Sequence, residues 1–225
     1  MTRREQGILD TMQKVQTFKN NHVGDFQPNG KAVQCFAAND QFVQQVVEAS
    51  QSQTTGGRRS RGGTLSKSAQ GLQVRVLLGT IIKTGRRVFR NNPAIEGQFR
   101  TPLRGTNQQL LTEAQAMREL ASTHKQEFLD AEMPADFLDE LDAALVGFAS
   151  AKSDKVEGEQ LRAGATSAVG QLLKSALVNI RDLDVMVRNR YRGDAQITGE
   201  WKTASHLEAQ PRKTIEEPAP EPSPV

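Results

Sequence analysis

Apolar residues recur at helical spacing along two long stretches of the chain. Ile8, Met12, Val15, His22 and Phe26 form one stripe; Leu110, Ala114, Met117, Ala121, His124 and Phe128 form another. Steps of three and four residues predict an amphipathic helix over 6–26 and over 108–129. A second helix is predicted after Pro28 in one stretch and from near Pro134 in the other, because proline suits a first helical turn. Its apolar positions are Val33, Phe36, Val43 and Val46, then Phe137, Leu138, Leu141, Leu145 and Phe148. A glycine-bearing segment follows each time, TTGGRRSRGGT from Thr54 and VEGEQLRAGAT from Val156. Both are predicted to be interhelical loops. A third helix is predicted over 65–90 and over 167–192, the latter with Val169, Leu172, Leu173, Ala176, Leu177, Ile180, Leu183 and Val187 on one stripe. Each stretch then closes on a box of alternating character, Ile95, Gly97, Phe99 and Ile197, Gly199, Trp201. Period-two alternation predicts a short extended segment with its aromatic buried and its glycine packed against backbone.

The two stretches are one pattern written twice. At an offset of 102, residues 6–101 and 108–203 share 16 identical positions of 96, where typical composition gives about 6 by chance. His22/His124, Phe26/Phe128, Asp40/Asp142, Gly62/Gly164, Val76/Val178, Arg86/Arg188 and the Ile-x-Gly-x-aromatic boxes are among the matched pairs. Shared helical period aligns apolar positions but not a non-helical box, so an internal duplication is expected. The expected fold is all-α: two tandem three-helix repeats, 6–101 and 108–203, forming one pseudo-symmetric helical bundle with two short extended segments. Residues 205–225, rich in proline and glutamate, are expected to be a disordered C-terminal tail.

Composition narrows the class. Hydrophobic residues make up 36% of the chain, and there is one cysteine, which allows no intrachain disulfide. The N-terminus lacks the apolar core of a signal peptide. No run approaches the roughly 18 apolar residues of a membrane span. A soluble, cytoplasmic protein with no membrane association is expected. The net charge of +3 hides an asymmetry. Residues 1–101 carry 15 Lys+Arg against 6 Asp+Glu, and residues 102–225 carry 14 against 20. The basic half suits an anionic partner or the acidic half of another copy.

Candidate chemistry is sparse. His22 and His124 hold equivalent places, each followed at i+3 by an acid, Asp25 and Glu127. Neighbours at i and i+3 share a helix face, which makes these four residues candidate metal ligands; the competing reading is a partly buried, hydrogen-bonded histidine. Arg58, Arg59 and Arg61 cluster in the first glycine-bearing segment, whose counterpart has one arginine. Arg86, Arg87 and Arg90 interleave with Phe89 at the end of the third helix. These six arginines are the candidate nucleic-acid contacts, weighed against favourable interaction with a helix C-terminus. Asp40, Asp142 and Cys35 suggest no catalytic arrangement, and no cofactor is expected. The leading expectation is a non-enzymatic structural or interaction protein whose partner is another protein or a second copy. Nucleic-acid binding through the basic first repeat is the alternative, and metal binding the third.

Overall fold

In a computed structural model of the chain, residues 1–100 and 106–207 are described. The elements are α1 (Arg3–His22), α2 (Lys31–Val88), α3 (Pro93–Glu96), α4 (Asn107–Thr123), α5 (Lys125–Asp130), α6 (Phe137–Arg190) and α7 (Ala195–Ser205), with 3-10 turns at Val23–Asp25 and Gly97–Phe99. No strand occurs among the described residues. Apart from Ser205–Leu207, the expected C-terminal tail lies outside the described residues.

The described chain is helical, as expected, and divides into two compact units. The first combines Met1–Gln51 with the chain from Ala165 onward; the second is Ser52–Gly164. This division does not follow the expected bounds 6–101 and 108–203.

In the first unit, α1, the opening of α2, the end of α6 and α7 share a core. Met12, Val15, Phe36, Val46, Ala176, Leu183, Val187 and Trp201 are fully or almost fully buried there. Phe18 meets Trp201 at 5.0 Å between ring centroids, and Phe26 meets Phe36 at 5.5 Å and Tyr191 at 5.8 Å. Such edge-on pairs contribute about 0.5–1.5 kcal/mol each beyond burial. Asn39 is fully buried among these apolar groups and donates to the Met12 carbonyl.

In the second unit, the remainder of α2 and the opening of α6 enclose a core with α4, α5 and the 93–99 segment. Val74, Leu78, Ile81, Phe99, Ala114, Phe128, Leu141 and Phe148 form it. Phe99 stacks on Phe89 at 5.7 Å and meets Phe128 at 5.7 Å. Gly85 makes room for Phe99, because a Cβ there would lie 2.6 Å from the ring.

Local chemistry sets several helix starts. Thr2 and Glu5 form a reciprocal capping box on α1, and Thr106 and Gln109 form one on α4. Each pairing satisfies two amide donors that the first turn leaves open.

Two expectations are corrected. First, the glycine-bearing segments are not loops: α2 and α6 run unbroken through them. Glycine within a helix costs about 1 kcal/mol relative to alanine, and close helix packing offsets that cost. A Cβ on Gly56 would lie 2.7 Å from the Arg162 amide nitrogen and 2.8 Å from the Gly158 carbonyl oxygen. A Cβ on Gly158 would lie 2.4 Å from the Ser60 amide nitrogen and 2.8 Å from the Gly56 oxygen. Gly63 sits against Ala151 and Lys155 in the same way. Gly56, Gly63 and Gly158 form the contact surface where the two helices touch backbone to backbone, whereas Gly62 and Gly164 face open space.

Second, the repeated boxes are not extended. Pro93 occupies the first turn of α3, and the Asp194 side chain accepts from the Ile197 amide at the start of α7. Residues at i and i+4 share a side in a helix as they do in a strand, so Ile95/Phe99 and Ile197/Trp201 fit either form. An extended segment needs an edge to pair with, whereas a helix satisfies its own backbone. Phe99 and Trp201 are fully buried as expected. The expected packing of Gly97 and Gly199 against backbone is not found: both are exposed, and a Cβ at either would meet nothing within 4 Å.

Candidate interaction surface

The arginine cluster is helical, and the helix sends its members in different directions. Arg59 donates to Asp154 Oδ1 from Nε at 3.1 Å and from Nη2 at 2.8 Å, and its Nη2 lies 2.8 Å from Glu157 Oε2. Hydrogen bonding to Asp154, with the charge of Glu157 beside it, raises the guanidinium's affinity for its proton. Arg59 therefore clips α2 to α6 within the second unit. Arg58 and Arg61 are exposed and make no ion pair among the described residues.

The second group divides likewise. Arg86 Nε lies 3.1 Å from Glu96 Oε1, and Arg100 Nη2 lies 2.8 Å from Glu96 Oε2. Hydrogen bonds from Arg100 and then Arg86 hold the Glu96 carboxyl below its ordinary range. Arg87 and Arg90 are exposed. Between Glu48 and Glu96 the chain has nine Lys and Arg and no Asp or Glu.

On the outer side of α2, opposite the buried line of Gly63, Val74, Leu78 and Ile81, runs a second apolar line. Leu65, Leu72 and Val76 expose 74%, 63% and 60% of their surface, and Gly62 and Ala69 complete the spacing. Sequence reasoning missed this line. Its signal was the alternation of steps of three and four at 62, 65, 69, 72 and 76, which the expectation of a loop ending near Thr64 cut short.

The histidine pairs belong to separate units. In the first, His22 Nε2 lies 3.0 Å from Glu200 Oε2 and Nδ1 lies 3.7 Å from Asp25 Oδ2. Asp25 Oδ2 accepts from the Tyr191 hydroxyl at 2.6 Å. Burial, followed by the bond to Asp25, pushes the Tyr191 phenol above its ordinary range. In the second unit, His124 Nδ1 lies 3.4 Å from Glu127 Oε1, and its ring packs on Phe89 at 4.7 Å. Among the described residues, no group of three or more His, Cys, Asp or Glu is arranged to hold a metal ion. Asp40 accepts from Gln16 and Lys19, and Asp142 from Arg118. Cys35 is buried, and burial raises its thiol pKa, which favours the unreactive thiol. A cleft of about 520 Å³ opens between α1 and α7, with Phe18 and Ala204 beside Lys14 and Glu200 in its walls.

No helix among the described residues is long and apolar enough to cross a membrane. The chain matches no protein-family model, no curated protein and no solved structure.

Proposed function

We propose that the protein is a non-enzymatic interaction scaffold that arose by internal duplication. The duplication is supported by contacts that repeat at the sequence offset of 102. Gly56 faces Gly158 and Arg162, while Gly158 faces Gly56 and Ser60; Ser60 and Arg162 are themselves an offset pair. Such reciprocity is the mark of a twofold relation between two copies of one surface. Gln16–Asp40 and Arg118–Asp142 repeat as pairs, and so do His22 beside Tyr191 and His124 beside Phe89. On this reading each compact unit combines the first part of one repeat with the last part of the other.

The observation that carries the interaction reading is the exposed line of Leu65, Leu72 and Val76. Single exposed apolar residues are ordinary, but an ordered row on one helix face marks a contact surface. Nucleic-acid binding is the second reading, favoured by the nine cations that no acid interrupts. One pair of experiments separates the two. A photo-crosslinking residue at Ser68, beside the exposed line, is expected to yield protein adducts in cells. In a gel shift with RNA or DNA, micromolar binding is not expected. If such binding is seen, and Arg58→Gln with Arg61→Gln lowers the slope of log affinity against log salt by roughly 2 units, the second reading replaces the first. Arg59 stays unchanged in that test because its substitution leaves Asp154 and Glu157 without a counter-charge.

A further inference from the structure

We propose that the outer face of α2 from Gly62 to Val76 is a docking seam for an acidic amphipathic helix of a partner protein. The inference rests on the protein-interaction reading and names the chemistry of the partner.

Positions 62, 65, 69, 72 and 76 advance by three, four, three and four residues and are all exposed. That is the spacing of a two-helix seam. Large and small residues alternate along it, Gly62, Leu65, Ala69, Leu72, Val76, so holes for a partner's side chains lie between the leucines. A membrane-surface helix instead presents a broad apolar face, commonly with aromatics; this line is one seam wide and has none.

The fold does not require these residues. Their equivalents at offset 102 are Ser167, Gln171 and Lys174 for Leu65, Ala69 and Leu72, all three exposed on α6, with Gly164 and Val178 unchanged at the ends. The second copy thus holds the same helix with polar groups in place of both seam leucines, while keeping an exposed valine, Val178, in place of Val76. The apolar residues on α2 need another explanation, and a bound helix supplies one.

Charge selects the partner. Arg61 and Arg75 occupy flanking positions from which paired helices make ion pairs, and the other flanking positions, Ser66, Ser68 and Gln73, are neutral. Arg58 and Lys83 extend the same face at either end. With no acid between Glu48 and Glu96, the charged groups of this face would meet only cations on the same face of a second copy. A helix with glutamates flanking its own apolar seam complements it.

The test uses the full chain and a synthetic four-heptad peptide with leucine at both seam positions and glutamate at the flanks, together with its lysine-flanked counterpart. Fluorescence anisotropy is expected to show micromolar binding of the glutamate peptide and at least roughly tenfold weaker binding of the lysine peptide. Leu65→Ser with Leu72→Gln is expected to weaken binding by at least roughly tenfold, with helix content and melting temperature unchanged. No binding, equal binding of the two peptides, or binding insensitive to the leucine pair would overturn the proposal. So would self-association, RNA binding or phosphatidylserine-vesicle binding that the leucine pair abolishes. Protein adducts at Ser68 without peptide binding would leave the interaction reading standing and remove this one; an absence of both removes the two together.

Discussion

Tyr191 is the only tyrosine in the chain, so its ionisation can be followed without ambiguity. In the folded protein its pKa is raised, first by burial and then by the bond to Asp25. An unfolded chain releases this proton near pH 10. Below that pH both states hold the proton and the stabilisation is fully present. Above it the unfolded state binds fewer protons than the folded state, so stability falls as pH rises. The phenolate absorbance is therefore expected to appear together with unfolding, monitored by fluorescence of the single Trp201, rather than before it. Tyr191→Phe is expected to flatten the loss of melting temperature on the alkaline side. A phenol that titrates near pH 10 in a fully folded protein would contradict the burial. At this scale much was legible: the two histidines, their neighbouring acids and the buried aromatics of both boxes were visible as repeated types. Their partners were not. Glu200 lies 178 positions from His22 and Asp25 lies 166 from Tyr191, and no local pattern connects such residues.

The long helices α2 and α6 test how element boundaries arise. Glycines that mark a loop by propensity here mark a close crossing. The distinction predicts opposite outcomes for one substitution at two places. Gly158→Ala drives a methyl group into the backbone of α2 and is expected to cost about 1–3 kcal/mol. Gly164→Ala meets no neighbour within 4 Å and is expected to stabilise by about 0.5–1 kcal/mol through helix propensity. Thermal or urea unfolding of the two variants checks both signs. If Gly158→Ala is neutral or stabilising, the backbone contact is not what holds the helix through this segment. The boxes teach the same lesson in reverse. Five residues of alternating character are too few to separate a strand from a turn of helix, and both boxes are helical.

Across the whole chain, the compact units and the proposed repeats divide the residues differently. Phe36 of the first half shares a core with Trp201 of the second, and Phe99 of the first with Phe128 of the second. Residues 1–103 produced alone are therefore expected to lack a cooperative thermal transition as a monomer, since the partners of both their apolar faces are missing. Mixing with residues 104–225 is expected to restore the transition and the blue-shifted emission of Trp201. A first-half fragment that is monomeric and melts cooperatively would show that the repeat, not the exchanged unit, is the folding unit. The sequence by itself determined what is local or periodic: the helical class, the apolar stripes of α1 and α4, and the 16 identities at offset 102. Only the tertiary structure decided that the glycine segments stay helical, that the boxes coil, which helices share a core, and which face of α2 is left over. Those outcomes depend on contacts between residues distant in sequence, whose free energy exceeds the local preferences of about 1 kcal/mol or less per residue that a single chain displays.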